Sequence, residues 1–507
     1  MNLAIRPSGL QFLCLPEELQ VEILMHVDYR SLLRCTSVCK SLNHTIKEYS
    51  GIQYIIELGA NGMEAASASC TLSHTELLQK LRDHLKAWDQ LDWKRFRVLP
   101  SGDFTACRAY ELVAGTFSTS NGLDLFVMWL PSATHDGRAL RHNTIGFSIR
   151  DFAIDPTEDV IAFLENESSP SSNLNWTIRL HLRTISSNRP HPLAREGTLS
   201  FNMPSDAIFG NFMFNATLQL AYDMLVLSIT TGPSSHGLRA LVWNWKTGCL
   251  VFDSQDDPTI MDNSQAFTML NHKTFMLTST YRSGSLKVYA ISHCERSPAT
   301  LLATLHLPEV QPGFYVRNLD SHSGPVHARS PENSSFTSSL ESRIQVISAF
   351  YDGPIAGDLF EYSIFIHNDH LLSIAKSSSV GSDLPWHSWG PQHTRFLPHC
   401  VPTNWLRYVH GQRVICSTPD NIQVLDFARS KHVPSTGAHE MFSRSNPSCI
   451  PKSSQPIFVE DVVTHLPYYT VNRPISQRFF AYMIDEERII GLRTTSSEHL
   501  ELHLLAL

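Results

Sequence analysis

The sequence predicts a multidomain α + all-β chain: a three-helix module at the N-terminus, a linker carrying one amphipathic helix, and a large all-β region made of repeats. Three observations predict it. Apolar residues recur at helical spacing up to about residue 90 and at strand spacing beyond residue 99. A strand–turn–strand unit recurs about seven times, roughly every sixty residues. At 507 residues the chain is too long for one ordinary core. The boundaries fall at 10–50, 51–98 and 99–507.

Residues 10–49 fit three short helices. Pro16 suits a first helical turn, where its missing N–H costs nothing, and Glu17 and Glu18 suit the positive end of a helix. Leu19, Ile23 and Val27 form one stripe, widened by Leu24. Asp28 breaks the run and can cap a second helix over 31–35. Val38, Leu42 and Ile46 stripe a third, with Cys39 beside them. About forty residues bury too little to be comfortable alone, so the stripe needs a further surface.

Five features stand in register here: Leu15-Pro16, the acidic Glu17-Glu18, Ile23-Leu24, Leu32-Leu33 and Val38-Cys39-Lys40. Together they resemble the F-box, although Leu42 stands where many members carry an aromatic residue. The resemblance implies docking to the Skp adaptor of cullin–RING ubiquitin ligases. An apolar stripe short of its own core agrees with a helix-in-groove partner. The expected adaptor-binding residues are Leu15, Pro16, Leu19, Ile23, Leu24, Leu32, Val38 and Leu42.

In the linker, Ile52, Tyr54, Ile55, Ile56 and Leu58 make an apolar segment closed by Gly59, Asn61 and Gly62. Ser73 followed by Glu76 is a capping box, and Leu77, Leu78, Leu81, Leu85 and Trp88 stripe the helix it opens. The expected role is a rigid spacer packed on the body. Residues 53–59 and 87–93 also resemble the bridge of F-box proteins that continue into a β-propeller.

In the body, two-strand units lie at 110–117/123–130, 160–164/176–183, 225–230/239–245, 274–281/285–291, 344–351/362–367, 413–417/421–427 and 488–493/499–505. They predict a β-propeller of about seven blades, with six as the alternative and a pair of β-sandwiches as the rival fold. Val242-Trp243-Asn244-Trp245 resembles the end of a WD-type blade, with Asn244 in place of the usual acid. A propeller closes best by mixing strands from both ends, which predicts a shared blade for 104–130 and 480–507. The Ser- and Pro-rich stretches 321–342 and 430–454 read as mobile loops.

Net charge is −8; residues 1–100 are balanced at 11 basic and 11 acidic, so the body carries the whole excess. An acidic body argues against general nucleic-acid binding. Ten scattered cysteines without C-x-x-C suggest reduced thiols and a cytosolic or nuclear site, and no apolar run is long enough to span a membrane. His367, His370, His387, His393, His399 and Cys400 cluster in sequence, but their irregular spacing favours loop imidazoles over zinc. Cys35 and Cys39 read as small apolar residues of the helical stripe. Trp386, Trp389, Trp405 and Tyr408 with Arg395 and Arg407 could rim a recognition surface, with core tryptophans and surface arginines the plainer alternative. No nucleophile elbow, phosphate loop or H-E-x-x-H occurs. No catalytic, cofactor or metal residue is therefore expected. The expected function is a non-catalytic substrate-recognition subunit of a Skp–cullin–F-box ligase. The alternatives are an adaptor-binding protein acting without cullin and a propeller hydrolase.

Overall fold

The computed structural model describes residues 12–66, 72–99, 104–132, 136–166, 176–203, 215–230, 237–260, 263–292, 295–331, 334–355, 357–401, 407–417, 421–428, 442–454, 456–495 and 499–507. Four helices open the described chain: α1 (Glu17–Met25), α2 (Tyr29–Cys35), α3 (Lys40–Glu48) and α4 (Ser50–Ala60). Asp28 caps α2, accepting hydrogen bonds from the backbone N–H of Arg30 at 3.0 Å and Ser31 at 3.1 Å. The Ser31 side chain first, and then these backbone bonds, hold its exposed carboxyl below the ordinary aspartate range. Leu24, Leu32, Leu42, Ile46 and Ile52 form one buried core, with Ile55 and Ile56 packed against it. The linker's apolar segment is thus α4, and it completes the core of the three-helix module.

Two glycines of α4 allow that packing. A Cβ on Gly59 would run into the Tyr29 ring of α2, and one on Gly51 would lie 2.9 Å from the Met25 sulfur of α1. Gly59→Val is therefore expected to push α2 off α4 at a cost of about 2 kcal/mol. Hydrogen exchange should quicken in α2 and stay unchanged in the sheets; equal α2 exchange in both proteins would contradict the close packing.

The capping box predicted at Ser73 and Glu76 opens α5 (His74–Gln90). Leu78 and Leu81 of α5, Tyr54 and Leu58 of α4, Met63 and Phe336 share one cluster. Beside it, strand Met63–Ala65 pairs antiparallel with Phe336–Ser338. The Tyr54 hydroxyl donates to the Ser335 carbonyl at 3.1 Å, and the Trp88 indole N–H donates to the Glu486 carbonyl at 3.0 Å. The linker is thereby fastened to the body at both of its helices.

The body is a seven-bladed β-propeller. Its blades lie at 109–142, 149–203, 215–253, 264–306, 315–398, 409–474 and 481–506, each a sheet of four or five strands. First strands neighbour one another around the axis, as Ala109–Val113 does Ile149–Asp155 and Val409–His410 does Ala481–Ile484. The apolar clusters sit between blades: Leu180 and Trp243 join blades 2 and 3, and Met128 and Leu504 join blades 1 and 7. Each of the seven two-strand signals falls on strands of a different blade. Blade 5 also carries α6 (Asn368–Ser377) and α7 (Trp386–His393) before its last strand.

Two expectations are corrected. The closing blade joins 481–506 to Arg95–Val98, with Arg95 opposite Ala506 and Val98 opposite His503; residues 104–130 belong to blade 1. Arg-Phe-Arg-Val is a mostly exposed outer strand, so it carries no buried-strand alternation. The stretch 321–342 is strand-bearing: Tyr315–Ser323 runs into it, and Phe336–Ser338 is held by the linker strand and the burial of Phe336. Of 430–454, residues 430–441 lie outside the described residues, while Phe442–Arg444 pairs with the strand Tyr469–Pro474 and Ser448–Ile450 with Val462–Thr464.

Candidate functional site

The helical module leaves five large apolar side chains exposed. Leu13 is 51% exposed, Leu19 51%, Ile23 45%, Leu33 44% and Val38 69%. Pro16 is exposed beside them, and Leu15 is half-buried. The Leu15 carbonyl accepts from Gln20 Nε2 at 2.8 Å, which fixes the approach to α1. α1 divides its residues by helical geometry: Gln20 and Leu24 face inward while Leu19 and Ile23 face out. Val38 lies in the turn before α3 rather than in its stripe.

Leu24, Leu32 and Leu42, expected at the adaptor interface, lie inside the module. They are 3%, 0% and 7% exposed and support the module from inside, because α4 covers them. Leu13 and Leu33, exposed on the same module, were not among the expected residues. The Leu32-Leu33 pair held a signal: neighbours on a helix are about 100° apart, so one side faces outward when the other is buried.

Residues 12–50 match the F-box domain family. This module is an F-box domain. No curated protein matches the chain. Among solved structures, the chain is similar to the WD40 β-propeller domain of Doa1, at 9% identity and a TM-score of 0.32, over 81% of this chain and 96% of that one. It is also similar to a chain of the Mitotic Checkpoint Complex, at 8% identity and a TM-score of 0.36, over 82% and 91% respectively.

The F-box is seated on the propeller through a polar joint under α5. Glu486, at the turn between the first two strands of blade 7, lies 3.1 Å from His410 Nε2, 3.6 Å from His84 Nε2 and 4.0 Å from an Arg413 nitrogen. Its carboxylate also accepts from the Ser338 backbone N–H at 2.7 Å. Burial alone would raise the Glu486 carboxyl, but His410 and then His84 hold it well below the ordinary glutamate range. The Arg413 guanidinium stacks 4.6 Å above the Trp88 ring of α5. A further ion pair, Arg30 to Asp369 at 3.9 Å, runs from α2 to α6.

The recognition cluster expected from aromatic and arginine residues is not a rim. Trp389 and Tyr408 are buried in blade-to-blade cores. Arg395 is 1% exposed and donates to the carbonyls of Leu466 at 2.8 Å and Asn446 at 2.7 Å, so it is not a surface arginine. Trp405 lies outside the described residues. Arg407, in the left-handed region at φ 71°, holds Glu111 of blade 1 through two nitrogens at 2.9 and 2.7 Å. Near that pair, burial pushes the Asp151 carboxyl up to about 7.

The predicted histidines are spread out. His387 and His393 belong to α7, the rings of His370 and His393 stack at 3.8 Å, and His399 Nδ1 lies 3.3 Å from the Ser363 hydroxyl. No group of three or more metal-ligating side chains is assembled among the described residues. Cys35 and Cys39 pack against the F-box core. Asn244 accepts from the backbone N–H groups of Lys246 at 3.2 Å and Thr247 at 3.1 Å, so the side chain replacing the WD acid closes a turn.

Proposed function

We propose that this chain is the target-recognition subunit of a Skp–cullin–F-box ubiquitin ligase. F-box domains as a class bind the Skp adaptor. The observation that carries the reading is the exposure of Leu13, Leu19, Ile23, Leu33 and Val38 on a module whose own core is already complete. Apolar side chains left outside a complete helical core suit a helix-in-groove partner.

The propeller would hold the target. Ser338, Gln412 and Glu486, which meet the linker, all lie near connections between the first and second strands of blades 5, 6 and 7. The turns joining second to third strands open on the opposite face. There Leu123 is 60%, Tyr281 49% and Ile355 69% exposed, in blades 1, 4 and 5. The chain's own contribution would be positioning, which raises the effective concentration of target lysines near the transferring enzyme. Cytosolic or nuclear residence goes with this reading.

Affinity purification of the full chain from cells is expected to recover both adaptor and cullin. Recovery of the adaptor without cullin would favour an adaptor-bound role outside the ligase, and recovery of neither would overturn the proposal.

A further inference from the structure

We propose that the outer strand of the closing blade, Arg95–Val98, is a docking edge for an extended peptide segment in which acidic and apolar residues alternate. Arg95–Val98 is the last strand of its sheet, and no further strand of the described residues pairs with it. Its inner neighbour is Leu500–Ala506, with Val98 opposite His503, and the Leu99 N–H donates to the Leu502 carbonyl at 2.8 Å. Successive residues of an antiparallel strand direct their N–H and C=O to opposite sides. Leu99, Arg97 and Arg95 therefore bond inward, and Phe96 and Val98 turn their backbone groups outward. An open edge of this kind is a template for a further strand.

The side chains specify that strand. Arg95 and Arg97 share one side of the edge, and Phe96 and Val98, 48% and 46% exposed, share the other. Both arginines reach one carboxylate oxygen of Asp136, at 3.1 and 3.5 Å. Asp136 is 77% exposed, so a carboxylate from outside can compete for the same two guanidinium groups. Blade 1 adds its own outer strand, Arg138–His142. There Arg141 lies 5.8 Å from the Phe126 ring, which packs on the core shared by blades 1 and 7, so Arg141 faces the closing blade. Residues 94–98 and 138–142 hold five Lys or Arg and no Asp or Glu, in a chain of net charge −8.

Charge complementarity selects an acidic partner, and the open edge selects an extended one. The segment that fits exchanges backbone hydrogen bonds with Phe96 and Val98. It sets Asp or Glu on the arginine side, where the bonds are charge-assisted, and small apolar residues on the Phe96 side. A second copy of this chain would set Arg95 and Arg97 against their own kind. A polynucleotide would use the arginines and leave the outward backbone groups and the apolar side idle. The proposal holds whether or not the chain works in a ligase.

The test uses the full-length protein and fluorescence anisotropy with a labelled Asp-Val-Asp-Val-Asp-Val-Asp-Val peptide. The wild type is expected to bind it at least about tenfold more tightly than Asp-Asp-Asp-Asp-Val-Val-Val-Val, which has the same charge without the alternation. Arg95→Glu with Arg97→Glu should weaken binding at least about tenfold. Val98→Pro should weaken it too, because it removes an outward N–H that the sheet does not use. Asp136→Asn removes the internal competitor and should tighten binding about two- to threefold. Thermal melting checks the fold of each variant; the arginine and Asp136 variants leave the backbone untouched and decide the matter should Val98→Pro melt early. Failure of the alternating peptide to bind, or equal binding of the grouped one, would overturn the proposal. So would unchanged affinity in the arginine variant, or a single-stranded oligonucleotide that binds the wild type more tightly than the peptide does.

Discussion

Capture of the Skp adaptor is expected to fall at least about a hundredfold when Leu19 and Ile23 are both replaced by Asp. Each side chain is about half exposed on α1, so neither substitution removes a core contact. Truncating a well-buried interface residue costs about 2 kcal/mol, and an unpaired carboxylate in the adaptor's groove costs more. The control is Leu32→Asp, which would bury a charge in the F-box core and lose capture by unfolding the module. Circular dichroism and thermal melting separate the two. Leu19→Asp with Ile23→Asp should melt like the wild type, and retained capture would refute the docking role of α1.

Glu486→Gln is expected to loosen the joint between linker and propeller by about 3 kcal/mol, because breaking one side of a buried charge cluster leaves the other side uncompensated. His84 and His410 would keep their places but lose the carboxylate they share. The sign of the pH effect follows from the depressed Glu486 carboxyl. Its contribution is complete above the unfolded glutamate value of about 4.3 and drains away as pH falls through the lower folded value. Wild type and Glu486→Gln should therefore differ most at neutral pH and converge in acid. Exchange of the α5 amides, read by mass spectrometry, should quicken in the variant at pH 7. An unchanged α5 would show that the apolar contacts of Tyr54, Leu58 and Leu81 suffice.

Middle strands of the blades were legible in the sequence because neighbouring blades bury them on both faces. Ile344–Asp352 and Met224–Thr230 consist almost wholly of buried residues, so their apolar runs stand out. Outer strands have one wet face and short, charged sequences; Arg138–His142 and Arg95–Val98 gave no such signal. That is why the number of blades could be read while the closing strand was misplaced. Phe336–Ser338 is only three residues long and is set by its pairing to Met63–Ala65, a contact across more than 270 residues that local pattern cannot carry.

The candidate site was half legible for a related reason. Helical spacing placed Leu19, Ile23 and Leu24 on neighbouring positions but could not say which would be covered from within. Ile52, Ile55 and Ile56 of α4 decide that, and they lie in what read as linker. Arg395 shows the same limit in the propeller: its sequence neighbours suggest a surface, and backbone carbonyls of the next blade hold it inside.

Hydrogen exchange of the full chain, with and without purified Skp adaptor, tests the account most directly. Adaptor should slow exchange across α1, α2 and the turn at Val38 while the propeller strands stay as they were. Unaltered exchange over residues 12–50, at adaptor concentrations that saturate an established F-box protein, would contradict it.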